Sequence, residues 1–271
     1  MNLISLSPDI TEIIAHLGLQ SQLVGRSSEC DFPSSLQTLP EVGNSVSADI
    51  EKIISLNPDL VFTSNFNSPD VAKSLAQNHI PFISLNAYTL MDIPKHMVHI
   101  GRLLGSEKIG IEKANQWISE FSNLKFQGAR TVNRQSAYFE EWGEPVTTGF
   151  RMVGEILEFS GFEVLFADQK TQRHPENRVI DLAEFKNLHF DVAFWGWKNS
   201  GSSFDLHSEI EKRNRRIGIN KWNDANTFAV DSQLFNRPGP RILDGMREIL
   251  KLRAIVEATG PASINLDYSA F

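Results

Sequence analysis

The feature that most constrains the fold of this chain is a short pattern that occurs twice, 132 positions apart. Residues 49–62 (DIEKIISLNPDLVF) and 181–194 (DLAEFKNLHFDVAF) share Asp, Leu, Asp and Phe, with aliphatic residues between, at the same offsets. Each copy is typical of a helix that runs into a strand. A second repeat in the same order supports the match, with Glu12-Ile13-Ile14 before Gly18 and Glu155-Ile156-Leu157 before Gly161. Two matched α/β halves indicate a ligand held between two lobes.

Composition excludes several classes of protein. The 271 residues are 41% hydrophobic and 22% charged, which is ordinary for a globular chain. A net charge of −7 argues against a nucleic-acid-binding protein. The single cysteine, Cys30, excludes an intrachain disulfide and a cysteine-rich zinc site. No apolar run approaches the roughly 20 residues that cross a bilayer.

Strands alternate with helices in the first third of the chain. The predicted strands are Leu3–Leu6, Gln22–Gly25, Leu60–Thr63 and Pro81–Leu85, and helices begin at Ser7-Pro8 and Ser68-Pro69. Such alternation favours a parallel sheet covered on both faces. We predict an N-terminal α/β lobe over residues 1–91.

The pattern changes at about Asp92. From there to Lys125, apolar residues follow helical spacing without a strand, so we predict one or two long bridging helices over residues 92–127. The α/β alternation then resumes in a C-terminal lobe over residues 128–271. Its predicted elements are strands 136–140, 163–166 and 227–230, a helix over 149–160 and a closing helix over 240–256.

Aromatic residues are concentrated after the predicted strands, where open parallel sheets bind ligands. Trp142 follows one strand, and Trp195 and Trp197 would point to the same side of another. Flat aromatic surface with a few polar groups suits a large planar or macrocyclic ligand. Alternatively, these rings cap the core.

Other candidate ligand-binding residues follow strands or start helices. They are Ser7, Pro8, Glu29, Phe66, Tyr88, Phe150, Arg151 and Arg237. Several arginines of the second half could meet anionic groups of a ligand. Arg237 is the best of them, because the turn Asn236-Arg237-Pro238-Gly239-Pro240 would hold it rigidly; surface charge or helix capping is the alternative for the others.

Catalysis has little support in the sequence. Glu29 and Asp31 flank Cys30 and would raise the pKa of its thiol. No nucleophile elbow, Walker loop or dinucleotide fingerprint occurs. His96 and His99 stand three apart on a predicted helix with no further metal ligand near them in sequence. We therefore expect no enzyme activity, no metal site and no required cofactor.

A string of short motifs resembles a known family. It comprises Ile4-Ser5-Leu6-Ser7-Pro8, Leu23-Val24-Gly25, Asp31-Phe32-Pro33, Pro40-Glu41-Val42-Gly43, Asp49-Ile50-Glu51 and Leu56-Asn57-Pro58-Asp59-Leu60-Val61. These resemble the substrate-binding proteins of iron-siderophore, haem and cobalamin ABC importers. Three further segments are similar to a leaderless subgroup described as cobalamin-binding: 25–33, 138–142 and 237–240.

The resemblance implies an α/β fold of two Rossmann-like lobes with parallel sheets, joined by a long helix, with the ligand cleft between the lobes. It also implies that one acidic residue on each lobe docks onto the permease. Glu51 matches the first position; Leu182 stands at the second, with Glu184 close by. The chain departs from the aromatics that sandwich cobalamin in the periplasmic form, because Glu29, Ser45, Ser64 and Val146 occupy those positions.

We predict a monomeric, non-catalytic protein that binds a corrinoid or related metal chelate, for uptake through an ABC permease. One alternative is a cytoplasmic enzyme or chaperone that acts on a tetrapyrrole or another large planar ligand. Another is a binding protein for a ferric siderophore or haem. If Met1 is the native start, we expect a cytoplasmic location; if a leader was removed, a periplasmic or membrane-anchored one.

Overall fold

The structure is a computed structural model that describes residues 1–131, 134–166, 175–181, 183, 188–198 and 204–259. The chain divides into two compact units. The first comprises Met1–Glu120 and Arg237–Pro240, and the second comprises Phe121–Asn236 and Arg241–Phe271. None of the described helices is both long and apolar enough to cross a membrane.

The first unit is built on a four-stranded parallel sheet. Its strands are β1 (Leu3–Ser5), β2 (Leu23–Arg26), β3 (Leu60–Thr63) and β4 (Phe82–Ser84), in the order β2-β1-β3-β4. Its helices are α1 (Pro8–His16), α2 (Ile50–Ser55), α3 (Pro69–Gln77) and α4 (Asp92–Leu103). Aliphatic side chains from both strands and helices form the core: Ile4, Leu6, Val42, Ile53, Val61, Val71, Leu75 and Ile80.

The first copy of the repeat forms α2 and β3. Asp49 caps α2, because its carboxylate accepts a hydrogen bond from the backbone N–H of Lys52 at 3.0 Å. The second copy ends in strand β8 of the second unit (Val192–Lys198). Residues 182 and 184–187 of that copy, which include the predicted docking residue Glu184, lie outside the described residues.

The helical region after Asp92 forms two helices. Helix α5 (Glu107–Ala129) follows α4 after a turn at Gly105, whose φ of 71° favours glycine. Helix α5 contributes residues to both units. Glycine also allows the two helices to approach closely. A Cβ atom on Gly110 would lie 2.6 Å from the Met97 carbonyl oxygen, and Gly101 faces it.

Asp92 is the first residue of α4, and its carboxylate should make the stability of the protein depend on pH. Burial favours the neutral acid, but hydrogen bonds from Lys95 and from the Tyr88 and Thr89 backbone lower its pKa from 3.8 to about 2. A lowered folded-state pKa contributes stability that is complete above about pH 4 and is lost as the pH falls toward 2. We expect Asp92→Ala to cost about 1–2 kcal/mol at neutral pH, because it removes hydrogen bonds to a charged acceptor.

Thermal unfolding of wild type and Asp92→Ala over a pH series checks this prediction. The gap in Tm should be constant from about pH 5 to 7 and should narrow below about pH 4. A gap that persists unchanged into acid would show that the charge of Asp92 does not stabilise the helix.

The second unit contains a five-stranded mixed sheet. Its strands are β5 (Ser136–Gly143), β6 (Val146–Thr148), β7 (Glu163–Val164), β8 and β9 (Thr227–Asp231), in the order β6-β5-β8-β9 with β7 also paired to β5. Its helices are α6 (Arg151–Phe159), α7 (Leu206–Ile217), α8 (Ser232–Phe235) and α9 (Ile242–Thr259). The core is rich in aromatic rings: Tyr138, Trp195 and Trp222 pack with Val146, Ile180, Ala193, Ile210 and Ile217.

The predicted fold class, two α/β units with largely parallel sheets, is confirmed. The second sheet differs in one respect, because β6 runs antiparallel to β5 and the two form a hairpin. Strand β7 is shorter than predicted and ends at Val164, and helix α7 was not predicted. Helix α7 lies in a largely polar segment. Asp205 caps its start by accepting a hydrogen bond from the Ser208 N–H at 3.1 Å, and Gly218 ends it at a φ of 75°.

Candidate functional site

Buried hydrogen bonds join the strand ends of the first unit. Ser7 and Pro8, which follow β1, are buried, and the Ser7 hydroxyl lies 2.6 Å from that of Ser64 at the end of β3. The Ser64 hydroxyl accepts from the Phe66 N–H at 3.0 Å, and the Asn67 side chain donates to the Leu6 carbonyl at 2.8 Å. These bonds fix the loop after β3 against β1.

The outer part of the same loops is apolar and exposed. Phe66 is 38% exposed and Tyr88 54% exposed. The Asn65 amide donates to the Ala87 carbonyl at 3.3 Å, so the loop that carries Phe66 is tied to the loop that carries Tyr88. The first unit therefore presents two aromatic rings on connected loops beyond its strand ends.

Glu29 braces a neighbouring loop. Its carboxylate accepts from the Ser45 N–H at 3.0 Å, from the Ser45 hydroxyl at 3.1 Å and from the Ser28 hydroxyl at 3.1 Å. Burial alone would raise the pKa of Glu29, but these hydrogen bonds lower it overall. The predicted ligand residue is thus an ionised carboxylate whose acceptor sites hold the loop.

Arg237 begins the segment Arg237–Pro240, which belongs to the first unit although it comes late in the chain. Its guanidinium donates two hydrogen bonds to Asp31, one of them at 3.1 Å, and lies 4.0 Å from the Glu12 carboxylate. Burial works against the charge, but Asp31 and Glu12 raise the pKa of Arg237 above its ordinary value. The structure gives this predicted ligand residue an internal ion-pair partner.

Cys30 is unsuited to nucleophilic chemistry. Burial raises the pKa of its thiol to about 11, despite hydrogen bonds from Ser27 and Thr11. Thr11 Oγ1 donates to the sulfur at 3.0 Å. A thiolate is therefore negligible at neutral pH. Within the described part of the chain, no group of three His, Cys, Asp or Glu side chains is arranged to hold a metal ion.

An aromatic stack stands at the end of β8 in the second unit. The rings of Trp195 and Trp197 lie parallel, with centroids 4.4 Å apart and planes 13° apart, because residues two apart on a strand share a face. Trp195 is fully buried and Trp197 is partly exposed. The Arg213 guanidinium lies 5.4–5.6 Å from the ring centres of Trp195, Trp197 and Trp222.

A buried ion pair supports this stack. Arg213 donates to both carboxylate oxygens of Glu140, at 2.6 and 2.9 Å, and the Tyr138 hydroxyl donates to the same carboxylate at 2.6 Å. Burial raises the pKa of Glu140, and Arg213 opposes that rise. Burial and the neighbouring carboxylate raise the pKa of Tyr138 well above its ordinary value. Sequence reasoning missed this set, because Glu140 and Arg213 are 73 residues apart.

A pocket of about 510 Å³ opens between the β5–β6 turn and α7. We call it the hairpin pocket. Two of the three tryptophans predicted as ligand-binding, Trp142 and Trp197, line it; Trp195 does not. The other lining residues are Gly143, Glu144, Glu209, Lys212, Arg213 and Arg216. The structure thus brings two of the predicted aromatic residues together at one cavity.

The remaining predicted residues lie apart from this pocket's lining. Phe150 precedes α6, and Arg151 pairs with Glu155 across one helical turn at 3.0 Å. The Arg178 guanidinium is buried, donates to Glu141 at 2.5 Å and lies 5.9 Å from the Phe150 ring centre. Glu51, the predicted docking residue, is exposed in the first turn of α2.

These features define a class of protein: two α/β units that carry exposed aromatic rings on loops held by hydrogen bonds. That class is a ligand-binding protein. The family model described as "Periplasmic binding protein" matches residues 3–215, and the chain belongs to that family. The resemblance that the sequence motifs indicated is confirmed.

Two curated relatives and one solved structure are similar to this chain. The uncharacterized ABC transporter substrate-binding lipoprotein YvrC of Bacillus subtilis is 27% identical over 91% of this chain and 78% of its own. A vitamin B12-binding protein of Vibrio parahaemolyticus is 26% identical over 91% of this chain and 86% of its own. The solved structure of the periplasmic heme-binding protein RhuT from Roseiflexus matches the fold with a TM-score of 0.77 at 20% identity, covering 93% of this chain and 97% of that one.

The expected cytoplasmic location is wrong. The family is that of periplasmic binding proteins, and the Bacillus relative is a lipoprotein, which together indicate a location outside the cytoplasm. The expectation depended on Met1 as the native start, and the first residue of a chain does not report its compartment.

Proposed function

We propose that this protein binds a corrinoid and delivers it to an ABC permease. Three observations support the proposal: membership of the periplasmic binding protein family, similarity over 91% of the chain to a vitamin B12-binding protein, and aromatic rings beyond the strand ends of both sheets. The exposed aromatic rings are the observation that supports a corrinoid in particular, because a corrin is a broad ring system with apolar faces.

The aromatic residues are suited to that ligand because they are exposed and held in place. Phe66 and Tyr88 stand on loops joined by the Asn65–Ala87 hydrogen bond. Trp142 is 63% exposed, and its indole N–H donates to the Glu144 carbonyl at 2.9 Å. Exposed rings with few rotatable bonds supply contact area at a low entropy cost on binding.

The proposed role is binding and release without chemical change to the ligand. The raised pKa of the Cys30 thiol makes this side chain a poor nucleophile at neutral pH. The buried Glu140 and Tyr138 are committed to the pair with Arg213. Chemical change of a bound tetrapyrrole would instead favour the alternative, an enzyme acting on that ligand.

Isothermal titration with cobalamin, cobinamide, haem and a ferric siderophore tests the proposal. We expect a corrinoid to bind with a Kd of about 1 µM or tighter, and the double variant Phe66→Ala/Tyr88→Ala to weaken binding about tenfold or more. Phe126→Ala is the matched control, since this ring is 66% exposed on α5. Binding of haem or the siderophore with no corrinoid binding would reassign the ligand; binding of none would overturn the proposal.

Docking onto the permease is proposed to use Glu51. This carboxylate is exposed at the start of α2, away from any predicted ligand residue in sequence. We expect Glu51→Ala to lower corrinoid uptake by cells several-fold while the Kd of the purified protein stays unchanged. Asp70→Ala, at the corresponding first turn of α3, is the control and should leave uptake unchanged. Equal uptake by wild type and Glu51→Ala would exclude this docking role.

A further inference from the structure

We propose that the hairpin pocket holds the fused two-ring base of a complete corrinoid, and that it thereby distinguishes cobalamin from corrinoids without a base. The inference rests on the proposed function and names the part of the ligand that this pocket takes. Cobalamin carries a dimethylbenzimidazole ring on its nucleotide loop, whereas cobinamide has the same corrin and no base.

Trp142 is the first reason for this assignment. Its ring lines the hairpin pocket and is 63% exposed, so its face is accessible to a ligand. The ring is also fixed, because its N–H is held by the Glu144 carbonyl of the same turn at 2.9 Å. A fixed indole with an accessible surface is a stacking platform for another aromatic ring.

Trp197 gives the pocket a second, rigid aromatic wall. Trp195 stacks against it at 4.4 Å, and Arg213 lies 5.4 Å from its ring centre. The turn lies directly on its six-membered ring, because a Cβ atom on Gly143 would come within 2.7 and 2.8 Å of two of its carbon atoms. Glycine at position 143 is therefore required for this close approach.

The charges of the lining favour a neutral ring with a polar edge. Lys212 pairs with Glu209 at 2.6 Å, and Arg216 pairs with Glu144. Arg213, the third cation, is neutralised by the buried Glu140. Donors and acceptors are thus both present without excess charge, which suits a nitrogen heterocycle better than the propionates of a haem.

The size of the cavity is consistent with this ligand. About 510 Å³ is within the range of small-molecule pockets and exceeds the volume of a benzimidazole. In cobalamin the base stands away from the plane of the corrin, so the base can enter a pocket while the corrin remains outside it.

The test measures the Kd of cobalamin and cobinamide for wild type and Trp142→Ala by isothermal titration. Stacking of one base on an aromatic side chain contributes about 10- to 100-fold in affinity. We expect wild type to bind cobalamin at least about tenfold more tightly than cobinamide, and Trp142→Ala to bind the two equally. Phe126→Ala should retain the wild-type ratio. Trp142 is exposed, so its replacement should not impair folding.

Two results overturn the inference while leaving the proposed function intact. One is equal affinity of the wild type for cobalamin and cobinamide. The other is a cobalamin preference that persists in Trp142→Ala. If the wild type binds neither corrinoid, the proposed function fails, and the inference fails with it.

Discussion

Replacing Arg213 with methionine is expected to lower the free energy of unfolding by about 3–5 kcal/mol. Methionine retains much of the volume but removes the guanidinium from a carboxylate that is fully buried. Glu140 would then keep only the hydrogen bond from Tyr138 at 2.6 Å. An uncompensated buried charge is the most costly outcome of breaking such a pair.

The loss should depend on pH in a specific direction. Burial already raises the pKa of Glu140, and Arg213 is the main group that opposes the rise. In Arg213→Met the folded state should therefore take up a proton more readily than the unfolded state. The destabilisation should be largest near neutral pH and should shrink as the pH falls toward about 4–5.

Urea unfolding followed by circular dichroism measures the effect. Arg216→Met is the matched control, because Arg216 lies about one turn after Arg213 on the same helix and pairs with Glu144 at the surface. The side chain of Arg216 is 47% exposed and that of Glu144 is 72% exposed. Exposed pairs contribute about 0–1 kcal/mol. The double variant Glu140→Leu/Arg213→Met should recover much of the loss, since it leaves no unpaired charge. A single-variant loss no larger than that of the control would contradict the prediction.

Local patterns in the sequence predicted much of this unit, and the ion pair shows where they stop. The repeat predicted β8 because apolar residues and Phe194 recur at the spacing of β3. The alternation of residues on a strand predicted that Trp195 and Trp197 share a face. Arg213 lies on the buried face of a largely polar helix, between Ile210 and Ile217, where an apolar residue would be expected. Its partner is on a strand 73 residues earlier.

The burial of each tryptophan could not be read from residue type. Trp142 and Trp195 were both expected beyond the end of a predicted strand, yet Trp142 is 63% exposed and Trp195 is fully buried. The ladder between β5 and β6 shifts register between Glu140 and Trp142, which breaks simple alternation at that point. Since the β5–β6 hairpin was not predicted, the hairpin pocket could not be predicted either.

The permease-docking assignment shows a similar limit. Glu51 was identified by a motif, and its exposure at the start of α2 is compatible with docking. Glu184 lies outside the described residues, so the second docking position stays a prediction. Motifs identify positions by sequence, whereas a docking surface depends on the three-dimensional neighbours of each carboxylate.

Replacing Gly128 with alanine is the second change expected to have a large effect. Gly128 lies near the end of α5, where the helix meets the end of α6. A Cβ atom there would lie 1.9 Å from the Phe159 carbonyl oxygen and 2.9 Å from the Ser160 Cα atom. These are backbone atoms, which cannot rotate away, so the two helices must separate.

Separation would also disturb the contacts around the crossing. Arg253 donates to the carbonyl oxygens of Gly128, at 3.2 Å, and of Ser160. The Phe121 and Phe159 rings pack edge to face at 5.4 Å. An alanine inside a helix would otherwise stabilise it by up to about 1 kcal/mol. We expect Gly128→Ala instead to cost about 3 kcal/mol, the upper end of overpacking effects.

Urea unfolding of Gly128→Ala and of Asn123→Ala measures this cost. Asn123 is exposed on the same helix, so its replacement removes no buried contact and should leave stability equal or slightly higher. The comparison separates the steric conflict at the crossing from the general preference of helices for alanine. If Gly128→Ala were as stable as Asn123→Ala, the close approach of α5 and α6 would not exist in solution. A loss confined to Gly128→Ala would show that the helix crossing depends on the absence of a side chain at this position.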